Sequence, residues 1–230
     1  MDALSLAADA FDPLGGRHLL DIGCGPGAMA AALAAQGARV TGIDPGAAAI
    51  TAARARVPEA RFAIGSAEAL PFTDAAFDGA VILNALHHVP DPRAALAEAA
   101  RVVRPGCPVV VVEPLAEGSF FAALRPIEDE TAIRAVAQGA IAEAVSAGAF
   151  RCARDVTFVR REVFDGLDAF LERVSVVDPA RRAVIRDDAA VIARAFEAAA
   201  GRDEAGRRVL MQPLRAHILV AAGIGRANPA

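Results

Sequence analysis

Two aspartates, each at the end of a short apolar run, frame a turn made largely of glycine. Leu19-Leu20-Asp21-Ile22 leads into Gly23-Cys24-Gly25-Pro26-Gly27, and the next apolar run ends at Asp44. Glycine has no side chain to hold a ligand away and tolerates positive φ, so such a turn lets backbone N–H groups approach a bound molecule. An acid ending the second strand of such a unit accepts hydrogen bonds from ribose hydroxyls. Asp21 stands two residues before the first glycine, where a carboxylate repels a pyrophosphate and attracts a cationic amino group. The pattern suits a nucleoside that carries an amino-acid tail. The same glycines also suit a turn that is only a tight connection.

Glycine spacing separates the cofactor classes that share this geometry. The dinucleotide fingerprint is G-x-G-x-x-G, with the pyrophosphate on a helix N-terminus. Here the glycines fall at 23, 25 and 27, giving G-x-G-x-G. With Asp21, this fits the methionyl end of S-adenosylmethionine better than it fits NAD. Composition removes further chemistry. Arginine supplies all 24 cationic side chains, and lysine, tryptophan and tyrosine are absent. A Walker-type phosphate loop and a Schiff base both need a lysine, and the Tyr-Lys pair of short-chain dehydrogenases is missing.

The elements that must hold these residues alternate through the first half. Strands are predicted at Arg17–Ile22, Arg39–Asp44, Arg61–Gly65, Gly79–Leu83 and Pro108–Glu113, with helices at Gly27–Gln36, Ala47–Val57 and Pro92–Val103. Short apolar strands separated by helices predict a parallel sheet covered on both faces. Asp91-Pro92 sets a cap before a proline at the first helical position. Beyond Glu113 the pattern loosens: a long alanine-rich helical stretch before residue 150, a strand at Val156–Phe164, helix over 166–200 broken near Asp178-Pro179, and a closing strand at Leu214–Ala222. The predicted fold is α/β: a Rossmann-like, doubly wound, mostly parallel seven-stranded sheet with an antiparallel edge strand and helical insertions. One domain is expected over 1–230, with a cofactor-binding half at 1–113 and substrate-side insertions and closing strands at 114–230.

Residues 1–150 carry 10 Arg against 17 acids, and residues 151–230 carry 14 Arg against 11 acids, for a formal net charge of -4. That balance argues against a general nucleic-acid partner, as does the lack of an Asn-Pro-Pro-aromatic base-methylation motif. Cys24, Cys107 and Cys152 are odd in number and widely spaced, which suits free thiols in a reducing cytosol. No zinc-ligand spacing appears, so no metal is expected. The N-terminus lacks the features of a signal peptide, and no apolar run is long enough to span a bilayer. A cytoplasmic location is expected, with a homodimer left open.

Four segments, in order, resemble the class I S-adenosylmethionine-dependent methyltransferases, and more narrowly the group that includes ubiquinone/menaquinone-type C-methyltransferases. They are Leu20–Gly27, Gly42-Ile43-Asp44, Gly65-Ser66-Ala67-Glu68-Ala69-Leu70-Pro71-Phe72, and Phe77-Asp78 through Ala85-Leu86-His87-His88-Val89-Pro90-Asp91-Pro92. The resemblance covers about residues 15–115. It implies that S-adenosylmethionine is the cofactor, leaving as S-adenosylhomocysteine, and that a small organic molecule accepts the methyl group. Asp21 and the backbone of Gly23, Cys24 and Gly25, followed by Gly27, would hold the methionyl part. Asp44, with Pro45 beside it, would take the ribose. Ser66 and Ala67 would flank the adenine, and Asn84 and Ala85 would line the methionyl side. Ser66 departs from the family, which usually places an acid there to accept from the adenine amino group. A cofactor-binding protein without turnover is the alternative.

Acceptor-side candidates lie beyond the fourth strand and at and beyond the end of the fifth. His88, and after it His87, are candidates for a base, since histidine titrates near neutrality. Glu113 ends the fifth strand and either binds a cationic acceptor at the rim or caps the next turn. Phe120 and Phe121 are expected to form an apolar lid or wall, with Arg125 and Glu128 on the acceptor side. Cys24 is expected to be a small residue in a tight turn, not a nucleophile.

Overall fold

The computed structural model describes residues 2–178 and 180–222. The chain runs α1 (Ala3–Ala10), β1 (His18–Ile22), α2 (Ala28–Ala34), β2 (Arg39–Asp44), α3 (Ala47–Arg56), β3 (Arg61–Ile64) and β4 (Gly79–Leu83). A short 3-10 turn at Leu86–His88 comes next, then α4 (Pro92–Val102) and β5 (Pro108–Pro114). The later elements are α5 (Gly118–Leu124), α6 (Thr131–Ser146), β6 (Phe150–Phe164), α7 (Leu167–Val177), α8 (Arg181–Asp187), α9 (Ala189–Ala199), β7 (Gly201–Arg202) and β8 (Arg208–Ala221).

Strand order is β3-β2-β1-β4-β5-β8-β6, with β7 paired to β8. The ladders β1/β2, β1/β4, β2/β3 and β4/β5 are parallel. β8 returns antiparallel along β5: Gly106 N–H donates to Ala221 and Leu115 N–H to Pro213. The sequence predicts seven strands; the described residues form eight, because the two-residue β7 pairs with β8. β6 begins six residues before the predicted Val156, in a stretch whose mixed charges hide the alternation. β8 likewise begins ahead of the predicted Leu214, before Pro213, a residue that breaks strand patterns in sequence. Pro179, part of the predicted helix break, lies outside the described residues; α7 ends at Val177.

Contacts divide the chain into two compact units, one of residues 1–113, 136–156 and 215–230, the other of 114–135 and 157–214. The first unit holds the parallel strands. Val109, Val110, Val111 and Val112 are all fully buried, as a strand covered on both faces requires. Its core joins them to Leu20, Ile22, Ile82, Leu96, Ala99 and Phe77. α4 is capped by the Asp91 side chain, which accepts from the Arg93 and Ala94 N–H groups. The second unit has its own core of Phe120, Phe164, Phe170, Phe196, Ile192 and Leu210. Among the described residues no helix is long and apolar enough to cross a membrane.

Candidate functional site

The chain reverses its winding between β1 and β4, both of which grow outward from the middle of the sheet. In open α/β sheets this switch point, at the carboxyl ends of the strands, is where ligands bind. Asp21 lies in β1 beside Val81 of β4, and Asn84 directly succeeds β4. The glycine turn leaves β1 at the same edge. Gly23 and Cys24 N–H both donate to the Ile43 carbonyl, which ties the turn to β2.

Gly23 is fixed by two independent constraints. Its φ is +70, and a Cβ built there would come within 2.4 Å of the Ala85 Cβ. An alanine Cβ has no torsion with which to retreat. Gly23→Ala is therefore expected to cost about 3 kcal/mol, from positive-φ strain and overpacking together; urea denaturation monitored by far-UV circular dichroism measures it. Gly25, at φ +51, has nothing within 4 Å of its built Cβ, so the turn faces open space there.

Asp44 does more than the ribose role implied for it. One carboxylate oxygen accepts from Gly25 N–H at 2.9 Å and the other from Gly46 N–H at 2.8 Å. Pro45 between them has no N–H, so the turn after β2 closes on the Asp44 side chain. Each oxygen keeps a further lone-pair position for a hydroxyl donor. Asp44 thus shapes the glycine turn and remains able to accept from a ligand.

Asp21 is 1% exposed, and its Oδ2 has no hydrogen-bond partner among the described residues. Burial pushes its carboxyl up to about 7, with the Asp44 charge acting in the same direction and the Ala30 N–H opposing. Asn84 holds a left-handed φ of +50, a conformation that asparagine tolerates better than most residues, and its Oδ1 is likewise buried and unpartnered. Its own N–H donates to the Val112 carbonyl at 2.8 Å. Two buried acceptors without donors, at the ends of adjacent strands, call for a ligand group made of donors. An ammonium offers three N–H donors and a positive charge. The residues present therefore fit the methionyl end of S-adenosylmethionine. Cys24 is buried, and its thiol is pushed well above the usual range by burial and by the charges of Asp21 and Asp44, so it supplies no thiolate.

Ser66 comes just after β3, next to the end of β2, where Gly65 N–H donates to the Asp44 carbonyl at 3.1 Å. The Ser66 hydroxyl donates to Glu68 Oε2 at 2.8 Å and accepts the Glu68 N–H at 3.2 Å. Glu68 Oε1 accepts from Asp91 N–H at 2.7 Å. Ala67 is half-buried beside them. Further along α4, Glu98 accepts from Leu70 N–H, and Arg101 donates to the Leu70 and Phe72 carbonyls. Sequence reasoning gave Glu68, Glu98 and Arg101 no role. The i, i+3 spacing of Glu98 and Arg101 on a predicted helix was the available signal.

Several acceptor-side candidates are placed elsewhere. Glu113 does not reach the rim: it is 1% exposed, with Oε1 accepting from Ala85 and Leu86 N–H at 3.0 and 2.9 Å and Oε2 from His87 N–H at 3.2 Å. The His87 ring also bonds to Glu113 Oε2. With Oε2 accepting there as it does from the backbone, the ring presents Nδ1–H to it. Glu113 thus caps the 3-10 turn and aims the buried His87. His88, on the same turn, is exposed, with its ring centroid 4.0 Å from that of His87.

Phe120, Phe121, Arg125 and Glu128 all fall in the second unit. Phe120 packs edge-on against Phe170 at 5.6 Å in that unit's core, and the Arg134 guanidinium lies 4.7 Å over the Phe121 ring. Both rings are buried, so neither forms a lid. Arg125 pairs with Asp129 at 3.0 Å, and Glu128 with Arg181 at 2.7 Å. These charges hold their own unit together.

The family-level comparison falls within the first unit. A family described as a methyltransferase domain matches residues 20–111. The O-methyltransferase cnsE of Penicillium expansum is 40% identical over 110 residues, covering 45% of this chain and 40% of that protein. A ubiquinone biosynthesis O-methyltransferase of Paracidovorax citrulli is 40% identical over 104 residues, covering 43% of this chain and 44% of its own length. The chain therefore spans less than half the length of these curated relatives. Among solved structures, the YcgJ protein of Bacillus subtilis is similar in fold, with a TM-score of 0.65 at 22% identity, over 94% of this chain and 97% of that one. The family match coincides with the stretch from β1 to β5 that carries the glycine turn, so this stretch of the chain is similar to a methyltransferase domain.

Proposed function

We propose that this chain is an S-adenosylmethionine-dependent methyltransferase acting on a small organic acceptor by in-line displacement. The observation that carries this is the pair of buried, unpartnered acceptors, Asp21 Oδ2 and Asn84 Oδ1, at the switch point of the sheet. A pyrophosphate would meet a carboxylate there; an ammonium would meet two acceptors.

When bound, S-adenosylmethionine supplies a methyl group already activated on a sulfonium, so the protein's contribution is position and exclusion of water. Orientation of this kind is worth roughly 7–11 kcal/mol in well-aligned cases. Asp21 and Asn84 would hold the ammonium. Asp44 anchors the glycine turn through Gly25 and would offer its remaining lone pairs to the ribose. Ser66 and Ala67 would meet the base. Proton removal from a hydroxyl, amine or acidic carbon falls to the 3-10 turn, where His88 is exposed and His87 is buried against Glu113.

Calorimetric titration with S-adenosylmethionine, S-adenosylhomocysteine and NAD tests this reading directly. The expected result is micromolar binding of the first two and none of NAD. Binding of NAD alone, or of nothing, overturns it.

A further inference from the structure

The strands lay out an order for the ligand. Near the carboxyl ends of β4, β1, β2 and β3 stand, in that spatial order, Asn84 just past β4, Asp21 one residue before the end of β1, Asp44 at the end of β2 and Ser66 two residues past β3. Adjacent strands lie about 4.8 Å apart, so these four strands span roughly 14 Å across the sheet. If the ammonium meets Asn84 and Asp21 and the ribose meets Asp44, the purine extends toward β3 and Ser66. This order rests on the cofactor being S-adenosylmethionine.

A serine at the base end is ambiguous by itself, because a hydroxyl donates or accepts according to how its proton turns. Here that freedom is removed. Glu68 Oε2 takes the Ser66 proton at 2.8 Å, and one Ser66 lone pair takes the Glu68 N–H at 3.2 Å. One lone pair remains, and it can only accept. A hydroxyl that donates to a carboxylate is also a stronger acceptor, since hydrogen bonds in a chain polarise one another. Glu68 is held in turn, with Oε1 bonded to the Asp91 N–H at 2.7 Å.

We propose that Glu68 is a specificity-determining residue: by fixing Ser66 as an acceptor, it makes the base site select a purine bearing an exocyclic amino group over one bearing an oxo group. Ser66 and Glu68 together take the part of a single acid.

The polarity of this pair can be reversed with one atom. In Glu68→Gln the side chain keeps one acceptor oxygen, and the Asp91 N–H requires it. The amide nitrogen then faces Ser66 and donates to it. The serine proton is displaced toward the ligand, and the site presents a donor.

The test is calorimetric binding of S-adenosylhomocysteine and S-inosylhomocysteine, its 6-oxo counterpart, to each variant. Taking the ratio of the two affinities in one sample cancels any loss of folded protein. The parent chain is expected to prefer the amino compound by about tenfold, the scale of one hydrogen bond against one repulsive contact. Glu68→Gln is expected to bring the ratio to one or below. Ser66→Ala, which removes the hydroxyl, is expected to bring it to about one. Adding Ser66→Asp to Glu68→Gln is expected to restore the amino preference, because the new acid accepts without help. Equal binding of both compounds by the parent, or an amino preference unchanged in Glu68→Gln, overturns this proposal while leaving the cofactor reading intact. Absence of S-adenosylhomocysteine binding by the parent overturns both.

Discussion

Between pH 6 and pH 8 the affinity for S-adenosylhomocysteine is expected to rise about tenfold, as a single carboxyl titrating at 7 requires when only its ionised form binds the ligand. Asp21 is that carboxyl. Burial has raised it to about 7, so in the free protein it is largely protonated at pH 6 and largely ionised at pH 8. An ammonium against Oδ2 favours the charged form and lowers the value again. Binding at pH 7 should therefore release about half a proton, which calorimetry in buffers of different ionisation enthalpy reads directly. Asp21→Asn is expected to flatten the pH profile and weaken binding by about 10- to 100-fold, the range for a hydrogen bond to a charged partner. A steep profile retained in Asp21→Asn would assign the proton to another group.

The same shift predicts an opposite effect on stability. The folded-state value lies above the unfolded value of 3.8, so the folded protein holds the proton more tightly. Stability without ligand is highest below pH 3.8 as far as this group is concerned. It falls as the pH rises toward 7, by on the order of 4 kcal/mol once ionisation is complete. At pH 8 Asp21→Asn should therefore unfold at a higher urea concentration than the parent while binding more weakly. An ionised carboxylate at this buried position works against the fold.

The second large effect belongs to Glu113. Glu113→Ala leaves three backbone N–H groups, those of Ala85, Leu86 and His87, without their acceptor, together with the His87 ring. Each unsatisfied buried donor costs about 1–3 kcal/mol, and with partial relaxation the total is expected to be about 3–5 kcal/mol. Glu113→Gln should cost less, about 1–2 kcal/mol: its oxygen can still serve Ala85 and Leu86, but its amide then faces the His87 donors. The ordering Ala worse than Gln, read by urea denaturation, distinguishes a cap from a mere space-filler, for which the two would be alike.

The parallel half of the sheet was legible because its strands are short, apolar and punctuated. Asp91-Pro92 marked the start of α4, and the glycine turn marked the end of β1. β6 and the early part of β8 were less legible, since a strand of mixed charge or one containing a proline carries no clean alternation. The roles of side chains were the least visible. Glu113 ends a strand where a ligand would lie, and only the tertiary fold brings the 3-10 turn, 26 to 28 residues earlier in the chain, onto its carboxylate. Phe120 and Phe121 read as an apolar lid or wall because nothing local shows the core that receives them. Glu68 sits inside a segment that carries the family resemblance, but its bond to Asp91 crosses 23 residues.

The segment after β3 is fastened to α4 at three points: Glu68 to the Asp91 N–H, Glu98 to the Leu70 N–H, and Arg101 to the Leu70 and Phe72 carbonyls. The stretch 65–72 is therefore not an interchangeable part. Grafted alone into a related scaffold, it would lose the helix-borne groups that hold its backbone, and a foreign loop placed here would leave Glu98 and Arg101 gripping the wrong atoms. The smallest portable cassette runs from Gly65 through Arg101.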